Sequence, residues 1–303
     1  MRLGRSFGVT DTGRRRRQNE DAYVCEPPLF AIADGMGGAQ AGELASKVAA
    51  AAIEESAAHA DGQRDVVAIV REANARVFAR ALQDPSVAGM GTTATVAYVD
   101  EEAGTIAFAH VGDSRAYRYR DGALEHLTSD HSLVGELVRS GRLTEDEAAV
   151  HPHRSVITRA LGTEPEVEID TMTVDVVPGD LLLLCSDGLS AMVRDDGIAR
   201  VLEHAAGDPR LAAEELVRAA NDAGGDDNVT VVLFELVEGD PLPRQPDETT
   251  VEDVESAATP ELEQTEEDVR RHGAGKGSRW PALVFVLLLL AVTAAILWWS
   301  LLR

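Results

Sequence analysis

The sequence LFAIADGMGG, residues 29–38, contains the clearest indication of how this chain folds. Residues 29–33 form an apolar run with the length and composition of a buried β-strand. The run ends on Asp34, and three glycines and one methionine occupy positions 35–38. Small residues after a carboxylate let backbone or a ligand approach it closely. The stretch therefore predicts a core strand that brings an acid to the edge of a sheet.

Strand-like runs recur along the chain, and helical stretches come in neighbouring pairs. The predicted strands are 22–26, 29–33, 92–100, 105–112, 116–120, 167–174, 180–186 and 228–237. The predicted helices are 41–60 with 64–83, and 195–206 with 209–223. Strict alternation of strand and helix would predict a parallel sheet, whereas paired helices between runs of strands favour antiparallel sheets. The predicted class is α+β, a four-layer sandwich of two central antiparallel sheets flanked by paired helices.

Two more apolar runs end as the first one does. TIAFAHVGD ends at Asp113 and DLLLLCSD ends at Asp187, while Asp21 and Asp227 lie in polar loops beside strands. A single aspartate after a strand is usually a turn residue or a helix cap. The pattern that begins with Asp34 occurs three times, however, and packed sheets bring strand ends to a common edge. The five aspartates are therefore expected to converge on one face.

Converging carboxylates repel each other, so either their pKa values rise or cations neutralise them. The five aspartates offer only oxygen ligands, a donor set that favours Mg²⁺ or Mn²⁺ over Zn²⁺. Asp34 is accordingly predicted to be a metal ligand. The formal net charge of −24 argues against nucleic acid as a partner, because phosphate backbones bind basic surfaces.

The C-terminal part differs in composition from the rest. Residues 280–302 carry no charge and would span about 34 Å as a helix, enough for a bilayer core of about 30 Å. A buried core helix is the alternative, but the segment is apolar on every face, which favours a single-pass transmembrane helix that contacts membrane lipid. Residues 238–268 hold twelve acidic residues and one basic residue. This composition predicts a disordered acidic tether over 238–279 that ends in a basic juxtamembrane segment.

Charge around the span predicts its orientation. Four basic residues lie between 270 and 279, and only Arg303 follows the span. Because cytoplasmic flanks are enriched in Lys and Arg, residues 1–237 are expected in the cytoplasm, anchored to the inner (plasma) membrane.

Seven short motifs appear in an order that resembles a known family. They are RxxNED (16–21), ADGMGG (33–38), GMGTTAT (89–95), VGDSRAY (111–117), SDHSLV (129–134), SDG (186–188) and DDNVTV (226–231). Together they resemble the bacterial metal-dependent protein serine/threonine phosphatases of the type 2C class, over nearly all of residues 5–237. The resemblance implies a phosphatase catalytic domain over 1–237, built as a β-sandwich flanked by helices.

The resemblance also implies a site with two or three Mn²⁺ or Mg²⁺ ions. Asp34 would bridge two metals, and the carbonyl of Gly35 would join the second. Asp187 and Asp227 would complete the first, and Asp113 would belong to a third, weaker metal site. A hydroxide bridging the metals would attack phosphorus in line, with no covalent enzyme intermediate.

Other residues receive roles around these ligands from the same resemblance. Arg16 would be catalytic by gripping the substrate phosphate. Glu20 and Asp21 would hold metal-bound waters, with Asn228 beside them in the layer behind the ligands. Ser155 would lie near the third metal site.

Met36 departs from many eukaryotic relatives, which carry histidine there, and it cannot transfer a proton. His131, His151 and His153 are candidate proton donors by position only, and a structural role is the preferred interpretation of each. Ser155 and these histidines belong to the flap, residues 131–160.

Three functions follow as hypotheses. The first is a membrane-tethered phosphatase that acts on phosphoproteins, including those made by receptor-type Ser/Thr kinases and the kinases themselves. The second is a non-catalytic phosphoprotein-binding scaffold, and the third is a phosphatase of small phosphate esters. The presence of Asp34, Asp187 and Asp227 disfavours the scaffold.

Overall fold

Two antiparallel sheets form the centre of the computed structural model, which describes residues 1–58 and 65–240. The strands are β1 Arg2–Asp11, β2 Asp21–Glu26, β3 Leu29–Met36, β4 Gly91–Thr92, β5 Ala94–Asp100, β6 Thr105–Val111, β7 Arg115–Arg120, β8 Ala123–His126, β9 Asp170–Asp175, β10 Leu181–Cys185 and β11 Val229–Val237. The helices are α1 Ala39–Ala58, α2 Val66–Gln83, α3 Leu133–Arg139, α4 Glu145–Ala149, α5 Asp187–Ser190, α6 Asp195–His204 and α7 Pro209–Asp222. A short 3₁₀ turn covers Pro85–Val87.

One sheet has the strand order β1-β11-β10-β7-β8, and the other has the order β2-β3-β5-β6-β9 with β4 paired to β3. The pairings within these sheets are antiparallel. The predicted antiparallel class is therefore confirmed.

Alternating side chains of β3 show how the layers form. Phe30 and Ile32 point into the space between the two sheets, where Phe30 stacks on Phe234 of β11 with ring centroids 4.0 Å apart. Ala31 and Ala33 point the other way and pack beneath α1 and α2. Because the side-chain period of a strand is two residues, one continuous apolar run can serve both interfaces.

Helices cover both outer faces. α1 and α2 lie on the sheet that contains β3, and α6 and α7 lie on the sheet that contains β11. Local signals set their ends: Asp65 caps α2, and Asp208 caps α7 just before Pro209, a residue suited to the first helical turn. The four layers agree with the expected sandwich.

Some elements had no sequence-based prediction. β1 contains Gly4 and Gly8, which interrupt the apolar alternation typical of a strand. At Gly8 an added Cβ would lie 2.4 Å from the ring of Tyr23, so the Tyr23 ring packs directly on the Gly8 backbone. β8 is a four-residue strand joined to β7 by a tight turn at 121–122, where both residues have positive φ, the usual conformation of an Asp-Gly pair in a two-residue hairpin turn.

Predictions for the C-terminal part lie mostly outside the described residues. β11 ends at Val237, while the tether beyond 240 and the span 280–302 are not described. Within residues 1–58 and 65–240, no helix combines the length and the apolar character needed to cross a membrane.

Candidate metal centre

Asp34 lies at the end of β3 with its backbone held on both sides. Its N–H donates to Oγ1 of Thr93 at 2.9 Å, and its carbonyl accepts from the N–H of Thr93 at 2.8 Å. The carbonyl also accepts from Oγ1 of Thr92 at 2.9 Å. Three hydrogen bonds therefore fix the position from which the Asp34 carboxylate projects.

The glycines after Asp34 are required by crowding and by backbone conformation. An added Cβ at Gly35 would lie 2.1 Å from the carbonyl oxygen of Gly42 in α1 and 2.6 Å from that of Glu20. Gly37 and Gly38 have φ values of 119° and 91°, which L side chains avoid. The strand can therefore turn directly into α1 only because these positions lack side chains.

Asp21 faces Asp34 across the β2–β3 pairing. Oγ1 of Thr230 donates to Oδ2 of Asp21 at 2.6 Å, and Ser186 forms a second side-chain hydrogen bond to the same carboxyl. The pKa of Asp21 is raised to about 7, mainly by burial; these hydrogen bonds oppose the rise, and the charges of Asp187 and Asp227 add to it. The group is therefore held in place and poorly solvated.

Asp187 and Asp227 come from the other sheet. Asp187 is the first residue of α5, directly after β10, and Asp227 lies just before β11. The two segments approach closely, because a Cβ at Gly188 would lie 2.0 Å from the carbonyl oxygen of Asn228. Burial, followed by the charge of Asp227, raises the pKa of Asp187 to about 6, and a hydrogen bond to the Asp34 side chain opposes this rise.

Asp113 follows β6 in a buried turn. Its Oδ1 has no hydrogen-bond partner among the described residues. Burial raises its pKa well above the ordinary range, and the charges of Asp187 and Asp130 add to the effect. Burial likewise raises the pKa of Asp34, followed by the charges of Asp21, Asp187, Asp113 and Asp227 in that order. The five aspartates thus meet at one edge of the sandwich.

Arg16 contacts this cluster with its guanidinium group. Its Nη2 lies 2.6 Å from Oδ2 of Asp227, and its Nη1 lies 4.0 Å from Oε1 of Glu20. Half of the Arg16 side chain remains exposed, so it can still contact a ligand from solvent. Its neighbour Arg15 instead pairs with Asp226 at 2.9 Å on the outer surface.

Asn228 acts on the loop that carries Arg16. Its Oδ1 accepts from the N–H of Glu20 at 2.8 Å, and its Nδ2 donates to the carbonyls of Thr12 and Gln18, each at 2.9 Å. These three bonds use both N–H donors of the amide and one acceptor position of its oxygen. The structure therefore places Asn228 as a brace of the 12–20 loop, with Glu20 packed against Gly42 beside the cluster.

Several other predicted residues form no hydrogen bond or ion pair with the five aspartates in the described part of the chain. Ser155 is exposed on the flap, and the contacts of the described residues include none between it and the aspartates. Met36 pairs with Gly91 at the end of β3. His131 is buried, with 2% exposure, which leaves His151 and His153 as the more accessible flap histidines.

The hydroxyl groups around the aspartates were not given functional roles in the sequence analysis. Thr93, Ser186 and Thr230 each hydrogen-bond to an aspartate or to its backbone. All three lie inside the quoted motifs, and that placement was the available signal. Their partners are distant in sequence, which hid the contacts.

The residues suit a hard divalent cation. Within the ranges 1–58 and 65–240, His, Cys, Asp and Glu side chains form no ready-made group of three or more metal ligands. Oγ1 of Thr230 donates to Asp21, and Arg16 donates to an oxygen of Asp227. The donors are nevertheless all oxygen, several are poorly solvated, and one buried oxygen of Asp113 lacks a partner. A cation would satisfy these groups.

An antiparallel sandwich with outer helices, a carboxylate cluster at one edge and an arginine beside it has the features of a metal-dependent phosphatase. The family model described as "Protein phosphatase 2C" matches residues 14–219, and the chain belongs to this family. The resemblance inferred from the seven motifs is thereby confirmed.

Named relatives agree with this assignment. The chain is 40% identical over 243 residues to the serine/threonine protein phosphatase PstP of Mycobacterium tuberculosis, covering 78% of this chain and 46% of that protein. It is 40% identical over 248 residues to protein phosphatase PhpP of Streptococcus pneumoniae, covering 77% and 97%. The crystal structure of the PstP catalytic domain with two manganese ions has a TM-score of 0.71 and 37% identity, covering 78% and 99%. The chain thus spans about half the length of PstP.

Proposed function

We propose that this protein hydrolyses phosphoserine and phosphothreonine in proteins, using two Mn²⁺ or Mg²⁺ ions. The observation that carries the proposal is the convergence of five aspartates from both sheets on one edge, with Arg16 in contact with one of them. Relatives named as serine/threonine phosphatases, one of them crystallised with two manganese ions, support it. A third ion beside Asp113 is part of the proposal.

The ions would be held by carboxylates of Asp34, Asp187 and Asp227 and by the carbonyl of Gly35. Divalent cations bound there supply Lewis-acid polarisation of water and of the phosphoryl group. Thr93 keeps the Asp34 backbone fixed, so the carboxylate is already oriented when a ligand arrives.

Arg16 would bind the phosphoryl oxygens of the substrate. A guanidinium offers a planar fork of donors that matches phosphate geometry, and half of this side chain is exposed. Its contact with Asp227 and the Asn228 brace of its loop limit the positions that it can adopt. Substrate phosphate would therefore be directed toward the aspartate cluster.

The test is phosphate release from a phosphothreonine peptide by the full chain, with Mn²⁺, with Mg²⁺ and with chelator. We expect metal-dependent turnover, and a loss of about 100-fold in kcat/KM for Arg16→Ala, the scale of removing one donor to a developing charge. Arg15→Ala is the matched control, because Arg15 pairs with Asp226 on the outer surface, and its activity should stay within about twofold of wild type.

The same assay separates the other hypotheses. If the protein binds the phosphopeptide but releases no phosphate at any metal concentration, the scaffold hypothesis replaces the phosphatase hypothesis. A kcat/KM that is higher for small phosphate esters than for phosphopeptides would indicate a small-ester phosphatase.

We also propose that the C-terminal segment anchors the protein to the plasma membrane with its catalytic part in the cytoplasm. The uncharged stretch 280–302 and the basic residues before it support this proposal. A tether would raise the effective concentration near membrane-bound substrates such as receptor-type kinases. Membrane fractions should contain the full chain and lose it when residues 241–303 are deleted. Equal distribution of both forms would contradict the anchor.

A further inference from the structure

His131 lies where the base of the flap meets the turn that carries Asp113. Only 2% of this residue is exposed, so it cannot reach a substrate. Its ring packs 4.8 Å from the ring of His110, centroid to centroid, inside the sheet edge. A role in the reaction must therefore be exerted through other residues.

Two reciprocal hydrogen bonds join His131 to Gly112. The backbone N–H of Gly112 donates to Nδ1 of His131 at 3.1 Å, and the backbone N–H of His131 donates to the carbonyl of Gly112 at 2.7 Å. Gly112 has a φ of 113°, and an added Cβ would lie 2.5 Å from Thr93. This pair of bonds, the His131 clamp, therefore fixes an unusual backbone position directly before Asp113.

The clamp also determines the tautomer of the ring. Because Nδ1 accepts a hydrogen bond, the ring proton is on Nε2, which lies 3.2 Å from Oδ2 of Asp170. Nη1 of Arg159 is equally near Nε2, but a guanidinium cannot accept a hydrogen bond. The Nε2–H of His131 therefore donates to Asp170. Burial lowers the pKa of His131, which keeps the ring neutral at neutral pH.

The backbone around His131 closes the base of the flap. The N–H of Thr158 donates to the carbonyl of His131 at 2.8 Å, and the N–H of Leu133 donates to the carbonyl of Val156 at 2.9 Å. The two ends of the flap are thus paired where the clamp is made. Any displacement of the flap base would move the acceptor that holds Gly112.

We propose that His131 is a positioning residue that fixes the Asp113 carboxylate for cation binding by clamping the Gly112 backbone, with the flap base as its support. The inference rests on the proposed function, because it takes Asp113 as a ligand of the divalent cation. Oδ1 of Asp113 is buried without a partner among the described residues, so the backbone of its turn has to hold it in place.

Two substitutions at His131 test the roles of its two ring nitrogens separately. His131→Asn places an amide oxygen where Nδ1 lies and keeps the acceptor for Gly112. His131→Gln places an amide nitrogen where Nε2 lies, so it keeps the donor to Asp170 and loses the clamp. Asp170→Asn is the matched control, because it changes the same network on the side away from Gly112.

Mn²⁺ binding to the full chain is measured by titration calorimetry, with phosphate release against Mn²⁺ concentration as a second readout. We expect His131→Gln to weaken the weakest Mn²⁺ site by about 10-fold or more, the usual scale for residues that orient a metal ligand. His131→Asn and Asp170→Asn should stay within about threefold of wild type, since both keep the clamp.

The proposal would be wrong if Mn²⁺ binding were weakened equally in His131→Asn and His131→Gln. It would also be wrong if His131→Gln bound Mn²⁺ with wild-type affinity. If the Gln variant does not fold, the Asn variant decides, because wild-type affinity there supports the clamp and a tenfold loss refutes it. An Asp113→Asn variant with unchanged Mn²⁺ stoichiometry and affinity would remove the assigned role of Asp113 and the inference with it. The chelator assay would still test the phosphatase activity separately.

Discussion

The interior of the sandwich and its acidic edge are built from the same strands with opposite energetics. β3 contributes Phe30 to the stack with Phe234 and, four residues later, Asp34 to the edge. Burying a large apolar side chain stabilises the fold by roughly 1.5–3 kcal/mol. Burying Asp34 among like charges instead raises its pKa, which means that the ionised form is disfavoured there.

This difference shows why the acids lie at strand ends. The apolar interior provides the stability that allows the edge to keep carboxylates that repel each other. The edge in turn keeps backbone positions fixed through Thr93 and through glycines that allow close approach. Substitutions in the two regions should therefore affect different quantities.

Phe234→Ala should cause the largest loss of stability. Removing a fully buried aromatic ring that stacks on Phe30 should lower the free energy of unfolding by about 3–5 kcal/mol. Urea denaturation with and without Mn²⁺ measures this change in the free energy of unfolding. Leu211→Ala, at 41% exposure, is the control and should change stability by less than about 0.5 kcal/mol. Similar losses in both variants would break the distinction between interior and surface.

Asp34→Asn should have the opposite effect to Phe234→Ala, with a large loss of turnover and little change in metal-free stability. Turnover should fall by about 100–1000-fold, or about 3–4 kcal/mol in the barrier, because a charged group at the reacting centre is lost. Metal-free stability should stay equal or rise, since one repelling charge is gone. Asp196→Asn removes one negative charge from exposed α6 and should leave turnover unchanged. A loss of metal-free stability as large as that of Phe234→Ala would make Asp34 a structural residue.

The stability of the metal-free protein should depend on pH through Asp21. Its folded pKa of about 7 lies above the ordinary value, so the folded state binds more protons than the unfolded state between the two values. The ionised carboxyl therefore destabilises the fold at high pH. This cost starts to shrink as pH falls through about 7 and is gone only below the ordinary pKa of an aspartate. Asp21→Asn should stabilise the metal-free protein by about 1–3 kcal/mol near pH 8 and by less near pH 5.5.

Urea denaturation of wild type and Asp21→Asn in chelator, from about pH 8 to about pH 5.5, measures this difference. His110 provides a check in the opposite direction. Burial lowers its pKa to about 4, so it destabilises the fold as pH falls through the ordinary histidine range, equally in both proteins. A difference between the two proteins that stays constant with pH would contradict the assigned repulsion at Asp21.

The smallest effect is expected at a surface charge pair. Arg194 and Asp146 lie 2.9 Å apart, but their side chains are 76% and 79% exposed. Arg194→Ala should change stability by less than about 0.5 kcal/mol and leave turnover unchanged. A larger effect on stability or turnover would show that a charge pair matters even when it is exposed. Burial of charge would then not explain the difference between the acidic edge and the interior.

The sequence allowed much of this architecture to be predicted. Continuous apolar runs identified the strands before Asp34, Asp113 and Asp187, and paired helical stretches identified the outer helices. β1 was missed because glycines interrupt its alternation, and β8 because it has only four residues. The metal roles of the aspartates stay predictions.

The features that could be predicted from the sequence are local: strand ends that carry aspartates, glycines where the chain must turn, and the order of the motifs. Which of these groups come into contact depends on the tertiary structure. Arg16 contacts Asp227 across 211 positions, and Gly112 meets His131 across 19. The physical reason is that periodicity and turn preferences act over a few residues, whereas these contacts depend on the register of two sheets and on how they stack. Asn228 shows the difference, because its motif marked it as important and only the fold showed that it braces the arginine loop.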